Sequence, residues 1–239
     1  MTLLALEDVH TYYGEAHILQ GVSITVGEGE IVTLIGRNGA GKTTTLRSIM
    51  GIARPRRGRV FLRGEDISAL PTHEVARRGL AWIPEERRVL PNLTVLENLR
   101  LGMLGARATA AANGGARAIE EVLEYFPRLR ERIDQRGRFL SGGEQQMLAI
   151  ARALVSAPSL MLVDEPTEGL APLLVRSLTE ILAAINRRGT TILLVEQTLE
   201  VALALSQRIY VMDQGRIQFE GTPAELRRDP TIQQRFLEV

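Results

Sequence analysis

The chain has 239 residues, of which 45% are hydrophobic and 24% charged, with 29 basic side chains against 28 acidic ones. This composition excludes a disordered or collagen-like polymer, and a net charge of +1 excludes a global electrostatic pull toward nucleic acid or anionic lipid. Cysteine is absent, which excludes disulfides, thiol catalysis and cysteine-ligated metals together.

Glu7 and Asp8 interrupt the opening segment where a secretion signal needs an unbroken apolar stretch. Short strands and turns such as Gly27-Glu28-Gly29-Glu30 predict a β-rich region from Met1 to about Phe61. Within it, the apolar run Ile31 to Ile35 reads as a strand feeding Gly36, Arg37, Asn38, Gly39, Ala40, Gly41, Lys42 and Thr43. Those eight residues match the phosphate-loop pattern GxxxxGK[ST]. Thr44 to Met50 then carries Leu46, Ile49 and Met50 at helical spacing, and Gly51 is placed to close that helix. A strand, a glycine-rich loop and a helix N-terminus in this order form a cradle of backbone amides for an anionic phosphate chain.

Lys42 is the single lysine among the 29 basic residues. An ammonium is a compact point charge and a guanidinium is a planar fork, so a site between phosphate oxygens does not exchange them. Its position predicts contact with β and γ phosphates, and that of Thr43 predicts contact with magnesium. Farther on, Arg54, Arg56, Arg57 and Arg59 form a basic cluster that Pro55 and Gly58 mark as a solvated turn.

From about Glu86 to Ala157 the chain reads as helical, with Val95, Leu96 and Leu99 at helix spacing. The Ala/Gly-rich stretch Gly105 to Ala118 reads as a surface excursion. Leu140-Ser141-Gly142-Gly143-Glu144-Gln145-Gln146 precedes the periodic segment Met147 to Val155, so Ser141 is a helix N-cap and the glycines expose amides to a second phosphate surface. Leu160 to Val163 is an apolar strand ending in Asp164 and Glu165, followed by Pro166. Asp164 is placed to hold magnesium and Glu165 to polarise an attacking water, which together point to hydrolysis. Apolar strands on either side of the helix Leu173 to Arg188 predict parallel pairing, and Tyr210 to Ile217 predicts a closing hairpin. No apolar run approaches the roughly 20 residues that span a bilayer, and neither an internal repeat nor a second phosphate loop is present.

With these motifs in order, essentially the whole chain resembles the nucleotide-binding subunit of ABC transporters, whose signature is LSGGQ; Glu144 stands at the usual glutamine's place. The resemblance implies an α/β fold: a P-loop NTPase-like core sheet, an N-terminal antiparallel β subdomain and an inserted helical subdomain. One cassette would span 1–239, with the core at about 1–85 and 158–239 and the helical part at about 86–157. ATP and Mg²⁺ are the implied cofactors. By the same resemblance, Tyr13 stacks on adenine, and Gly36, Arg37, Asn38, Gly39, Ala40, Gly41, Lys42, Thr43 and Thr44 hold the phosphates. Thr43, Glu85 and Asp164 surround the metal, while Glu165, Lys42 and Gln197 act in catalysis. Ser141, Gly142 and Gly143 would meet the γ phosphate held by a second cassette in a head-to-tail dimer.

Three positions depart from the common pattern: Glu85 replaces a glutamine, Gln197 a switch histidine and Ala171 an aspartate. Glutamine can bond a γ phosphate but cannot relay a proton, so a slower or more partner-dependent site is expected. These departures resemble the ATP-binding subunits of branched-chain amino acid importers. That subgroup implies a distinct paralogous cassette as partner, two membrane permeases, a periplasmic solute-binding protein and no nucleic acid. It also implies a peripheral place at the cytoplasmic face of the inner membrane, with a groove near Glu85 to Leu93 for a permease helix. Urea importers resemble the chain closely as well. A soluble ABC ATPase of translation or DNA repair is disfavoured by the lack of a second cassette or coiled-coil insertion. Intact Lys42, Asp164 and Glu165 speak against a non-hydrolysing binding module.

Overall fold

A computed structural model describes residues 1–104 and 115–236. Most of the stretch read as a surface excursion, Gly105 to Ala118, therefore lies outside the described residues. The strands are β1 (Thr2–Tyr13), β2 (Ala16–Gly27), β3 (Ile31–Ile35), β4 (Arg57–Leu62), β5 (Glu65–Asp66), β6 (Leu80–Ile83), β7 (Leu160–Asp164), β8 (Thr191–Glu196), β9 (Arg208–Asp213) and β10 (Arg216–Gly221). The α-helices are α1 (Lys42–Ile49), α2 (Thr72–Arg77), α3 (Val95–Met103), α4 (Gly115–Leu123), α5 (Pro127–Glu131), α6 (Gly142–Leu154), α7 (Pro172–Arg187), α8 (Leu199–Leu205), α9 (Pro223–Arg228) and α10 (Pro230–Phe236).

β1 and β2 form a long antiparallel hairpin extended by β4 and β5 in the order β2-β1-β4-β5. Leu4 and Leu6 point inward, and a register shift between Leu6 and Val9, with Asp8 at φ +48°, puts Val9 and Thr11 on the same buried side. One extra residue is what keeps the inward face continuous across an odd spacing. Arg57 and Arg59 pair with His10 and Glu7 of β1, so half of the basic cluster read as a turn is strand. Arg57 also meets Asp8 at 3.0 Å.

The second sheet has the order β10-β9-β3-β8-β7-β6; all its strands run parallel except β10, which closes a hairpin on β9. Gln214 and Gly215, both at positive φ, make the tight turn that right-twisted strands require. Every residue of β3, β7 and β8 is buried, because both faces are covered. Val32, Leu34, Leu160, Leu162, Leu193 and Val195 pack toward the antiparallel sheet. Their neighbours Ile31, Met161, Val163, Ile192 and Leu194 pack against Val95, Leu99, Leu148, Leu178 and Leu182 of the helices. The strand period of two thus splits one apolar run between two cores. Among the described residues no helix is long and apolar enough to cross a membrane.

Candidate functional site

Parallel strands end at a common edge, which brings together side chains distant in sequence. β3 delivers the loop Gly36 to Gly41 and, through α1, Lys42, Thr43 and Thr44; β7 delivers Asp164 and Glu165; the segment after β6 delivers Glu85. A cavity of 440 Å³ is lined by Tyr13, Lys42, Thr43, Thr44, Glu85 and Glu165 together with Asn38, Gly39, Gly41 and Glu168.

The glycine-rich loop after β3 is held tightly. A Cβ on Gly36 would lie 2.2 Å from the Met212 carbonyl oxygen, and Gly41 turns the chain into α1 at φ +111°, so both positions demand glycine. Arg37 and Ala40 close the loop through the Ala40 N–H to Arg37 carbonyl bond at 3.2 Å. Lys42 is only 4% exposed; its Nζ donates to the carbonyls of Gly36 at 2.8 Å and Arg37 at 3.1 Å and lies 3.0 Å from Glu165 Oε1. Three ammonium donors meet three acceptors, an arrangement a guanidinium fork does not reproduce.

Thr43 Oγ1 donates to Asp164 Oδ1 at 3.0 Å. Asp164 is 1% exposed, and its Oδ2 has no partner among the described residues. Burial pushes this carboxyl up to about 6, Glu165 and Glu85 add to the rise, and the Thr43 hydroxyl opposes it. An orphaned buried carboxylate oxygen beside a threonine hydroxyl fits a magnesium ion. No cluster of three His, Cys, Asp or Glu forms a closed cage among the described residues, and magnesium characteristically keeps water and phosphate ligands instead.

A proton and a magnesium ion would therefore compete for Asp164. Magnesium-dependent ATP binding is expected to be full above about pH 7 and to weaken by up to about tenfold per unit below about 6. A magnesium-ATP titration that is flat from pH 5 to 8 would contradict this. The nucleotide-free fold responds oppositely: a carboxyl whose folded pKa is raised from 3.8 to about 6 takes up protons on folding in that window, so stability falls as pH rises through it.

Glu85 reaches the cavity but shares a hydrogen bond with Glu168, and burial together with that neighbouring carboxyl raises its pKa. Tyr13, 44% exposed, lines the cavity, and its Oη accepts from Arg47 at 3.4 Å. Gln197 is exposed and is not among the residues lining the cavity; its backbone N–H donates to Glu196 at 3.2 Å. Ser141 and Gly142 are exposed and Gly143 is buried beside Leu174, and none of the three lines this chain's own cavity. Ser141 caps α6 reciprocally with Glu144, whose Oε1 lies 2.7 Å from Arg132 Nε, so the glutamate at the glutamine position has its charge matched.

A model of the ABC transporter family matches residues 19–168. The chain belongs to the ABC transporter family. This ABC cassette is 44% identical to the high-affinity branched-chain amino acid transport ATP-binding protein BraG of Pseudomonas aeruginosa, over 98% of the chain and 99% of the relative. It is 35% identical to the lipopolysaccharide export system ATP-binding protein LptB of Haemophilus influenzae, over 99% and 98% of the two chains. An ATP-binding cassette of an ABC transporter in its ADP conformation superposes with a TM-score of 0.86 at 29% identity, covering 98% of each chain. The ABC cassette is thus a nucleotide-binding ATPase coupled to transport, and its α/β architecture is that of its structural neighbours.

Sequence reasoning assigned no role to Glu196, Thr167 or Arg132. Glu196 had one signal, a carboxylate at the end of an otherwise apolar strand, but the hydroxyl that answers it lies 29 residues away.

Proposed function

We propose that this chain hydrolyses ATP to power an importer of branched-chain amino acids, acting in a head-to-tail cassette pair beneath two membrane permeases. The nearly full-length likeness to BraG carries the solute assignment, exceeding the likeness to LptB. The pairing is supported by the place of Ser141 and Gly142, exposed and away from this chain's own Lys42. Such a signature needs a nucleotide held by another chain, here read as a distinct paralogue.

The catalytic reading follows from the Lys42–Glu165 ion pair. Without nucleotide, Lys42 engages the carboxylate that would serve as general base. When β and γ phosphates enter the amide cradle, the ammonium turns to their oxygens and Glu165 is released to orient a water. That water's oxygen bonds to the γ phosphorus as the bond to the ADP oxygen breaks, and Glu165 takes the water's proton. Thr43 and Asp164 would hold a magnesium ion, which supplies neutralisation of the charge shared by the β and γ oxygens. Tyr13 would stack on the adenine, Glu85 would add an oxygen ligand to the magnesium, and Gln197 would act at the γ-phosphate side.

A second cavity of 440 Å³ beside β6 is lined by Trp82, Pro84, Arg87, Leu90, Gly102 and Arg152, next to the segment expected to receive a permease helix. Trp82 Nε1 is buried and has no acceptor among the described residues. Arg152, pushed down in pKa by burial, donates to the Arg87 carbonyl at 3.4 Å and is paired with no carboxylate among the described residues. Such donors suit a docking helix that brings acceptors. No helix among the described residues crosses a membrane, so a place at the inner membrane's cytoplasmic face would come through the permeases.

In cells from which this chain is deleted, uptake of labelled leucine is expected to fall to background and to return on re-expression, with urea uptake and lipopolysaccharide export unchanged. Normal leucine uptake with loss of either other process would overturn the assignment. At the exposed position that follows β8, Gln197→His is expected to raise ATP turnover several-fold by adding a proton relay. Unchanged or lower turnover would remove that role.

A further inference from the structure

Glu196 takes no part in the steps above, yet it sits at their centre. It is the last residue of β8 and is 2% exposed; it pairs with Ile35, which precedes the phosphate loop, while Val195 pairs with Asp164 on the opposite strand. A carboxylate in this position is costly unless donors meet it. Thr167 Oγ1 donates to its Oε1 at 2.8 Å, and the N–H groups of Gln197 and Thr198 approach its Oε2 at 3.2 and 3.4 Å. Thr167, itself 6% exposed, stands two residues beyond Glu165.

Glu165 has φ +43°, a left-handed conformation that side chains other than glycine disfavour. Such a backbone persists only where its surroundings over-determine it. Two bonds from the end of β8 do this: the Glu165 N–H donates to the Val195 carbonyl at 2.9 Å, and the Thr167 hydroxyl is fixed by Glu196. The same carboxylate anchors the start of the segment that carries Gln197. We propose that Glu196 is a positioning residue: through Thr167 it holds Glu165 in its strained conformation, and through the Gln197 and Thr198 amides it sets the γ-phosphate segment in register with that base. The inference rests on the reading of Glu165 as general base.

Thr167→Val exchanges the hydroxyl for a methyl at nearly constant volume. In the full-length chain its kcat for ATP is expected to fall about tenfold, the loss of one hydrogen bond to a charged acceptor, with KM for ATP changed less than about twofold because Lys42 and its loop are untouched. Thr167→Ser keeps the donor and should restore kcat. Glu196→Gln cannot accept on both sides at once, so its kcat should fall similarly, and the double variant should be no slower than either single one. Independently of turnover, hydrogen exchange at the amides of Glu165 to Leu170 in the nucleotide-free chain should quicken about tenfold in Thr167→Val. Unchanged kcat and exchange in Thr167→Val, or a loss that Thr167→Ser shares, would overturn the proposal. If Glu196→Gln does not fold, the Thr167 pair of variants decides. Normal hydrolysis by Glu165→Gln would instead sink the underlying reading of the base.

Discussion

Lys42→Arg is expected to abolish ATP turnover, lowering kcat/KM by about 10³-fold, although it conserves charge and introduces the cation used everywhere else in this chain. The ammonium occupies a pocket 4% exposed, where its donors are matched by the carbonyls of Gly36 and Arg37 and by Glu165. A guanidinium is too broad and too planar for three convergent acceptors, so the substitution displaces the loop or leaves the 10%-exposed Glu165 carboxylate without its counter-ion. Removing one partner of a buried pair costs about 3–5 kcal/mol, and weaker stabilisation of the phosphate oxygens in the transition state adds to this. Lys42→Ala should fail alike. Steady-state turnover with a parallel ATP-binding titration checks the expectation; an arginine variant within tenfold of the parent would show that the point-charge geometry is unimportant.

Glu165→Gln is expected to lower kcat by about 10²–10³-fold while ATP affinity stays within a few-fold of the parent. Glutamine retains an oxygen that can accept from Lys42 Nζ, so the nucleotide-free site keeps its packing, but it cannot take a proton from water. ATP-bound pairs of cassettes should consequently accumulate, visible as a shift to a larger species in gel filtration on adding magnesium-ATP. Equal hydrolysis by this variant would remove Glu165 from the catalytic role.

Local chemistry made the strand, glycine-rich loop and helix around Gly36, Gly41 and Lys42 legible in the sequence, because they belong to one contiguous segment whose geometry depends mainly on its neighbours. The strands β3, β7 and β8 were equally legible, since burial on both faces leaves uninterrupted apolar runs. Boundaries were less so. The cluster at Arg54 to Arg59 read as a turn from Pro55 and Gly58, yet Arg57 and Arg59 join β4 because pairing with β1 outweighs local preference. The tie from Glu196 to Thr167 could not be read, since a hydroxyl and a carboxylate 29 residues apart carry no mutual signature.

By itself, the order of residues determined which groups this protein possesses: one ammonium, an adjacent acidic pair, a glycine-bounded loop and the apolar periods that sort segments into strands and helices. Those are properties of short windows, governed by backbone sterics and side-chain period. Tertiary structure alone decided that Lys42 rests on Glu165, that Asp164 keeps an unpartnered oxygen beside Thr43, that Glu85 turns to Glu168 and that Ser141 stands apart from its own cavity. These follow from the order in which parallel strands assemble and from the burial this imposes, and each depends on groups that meet only after the sheet has closed.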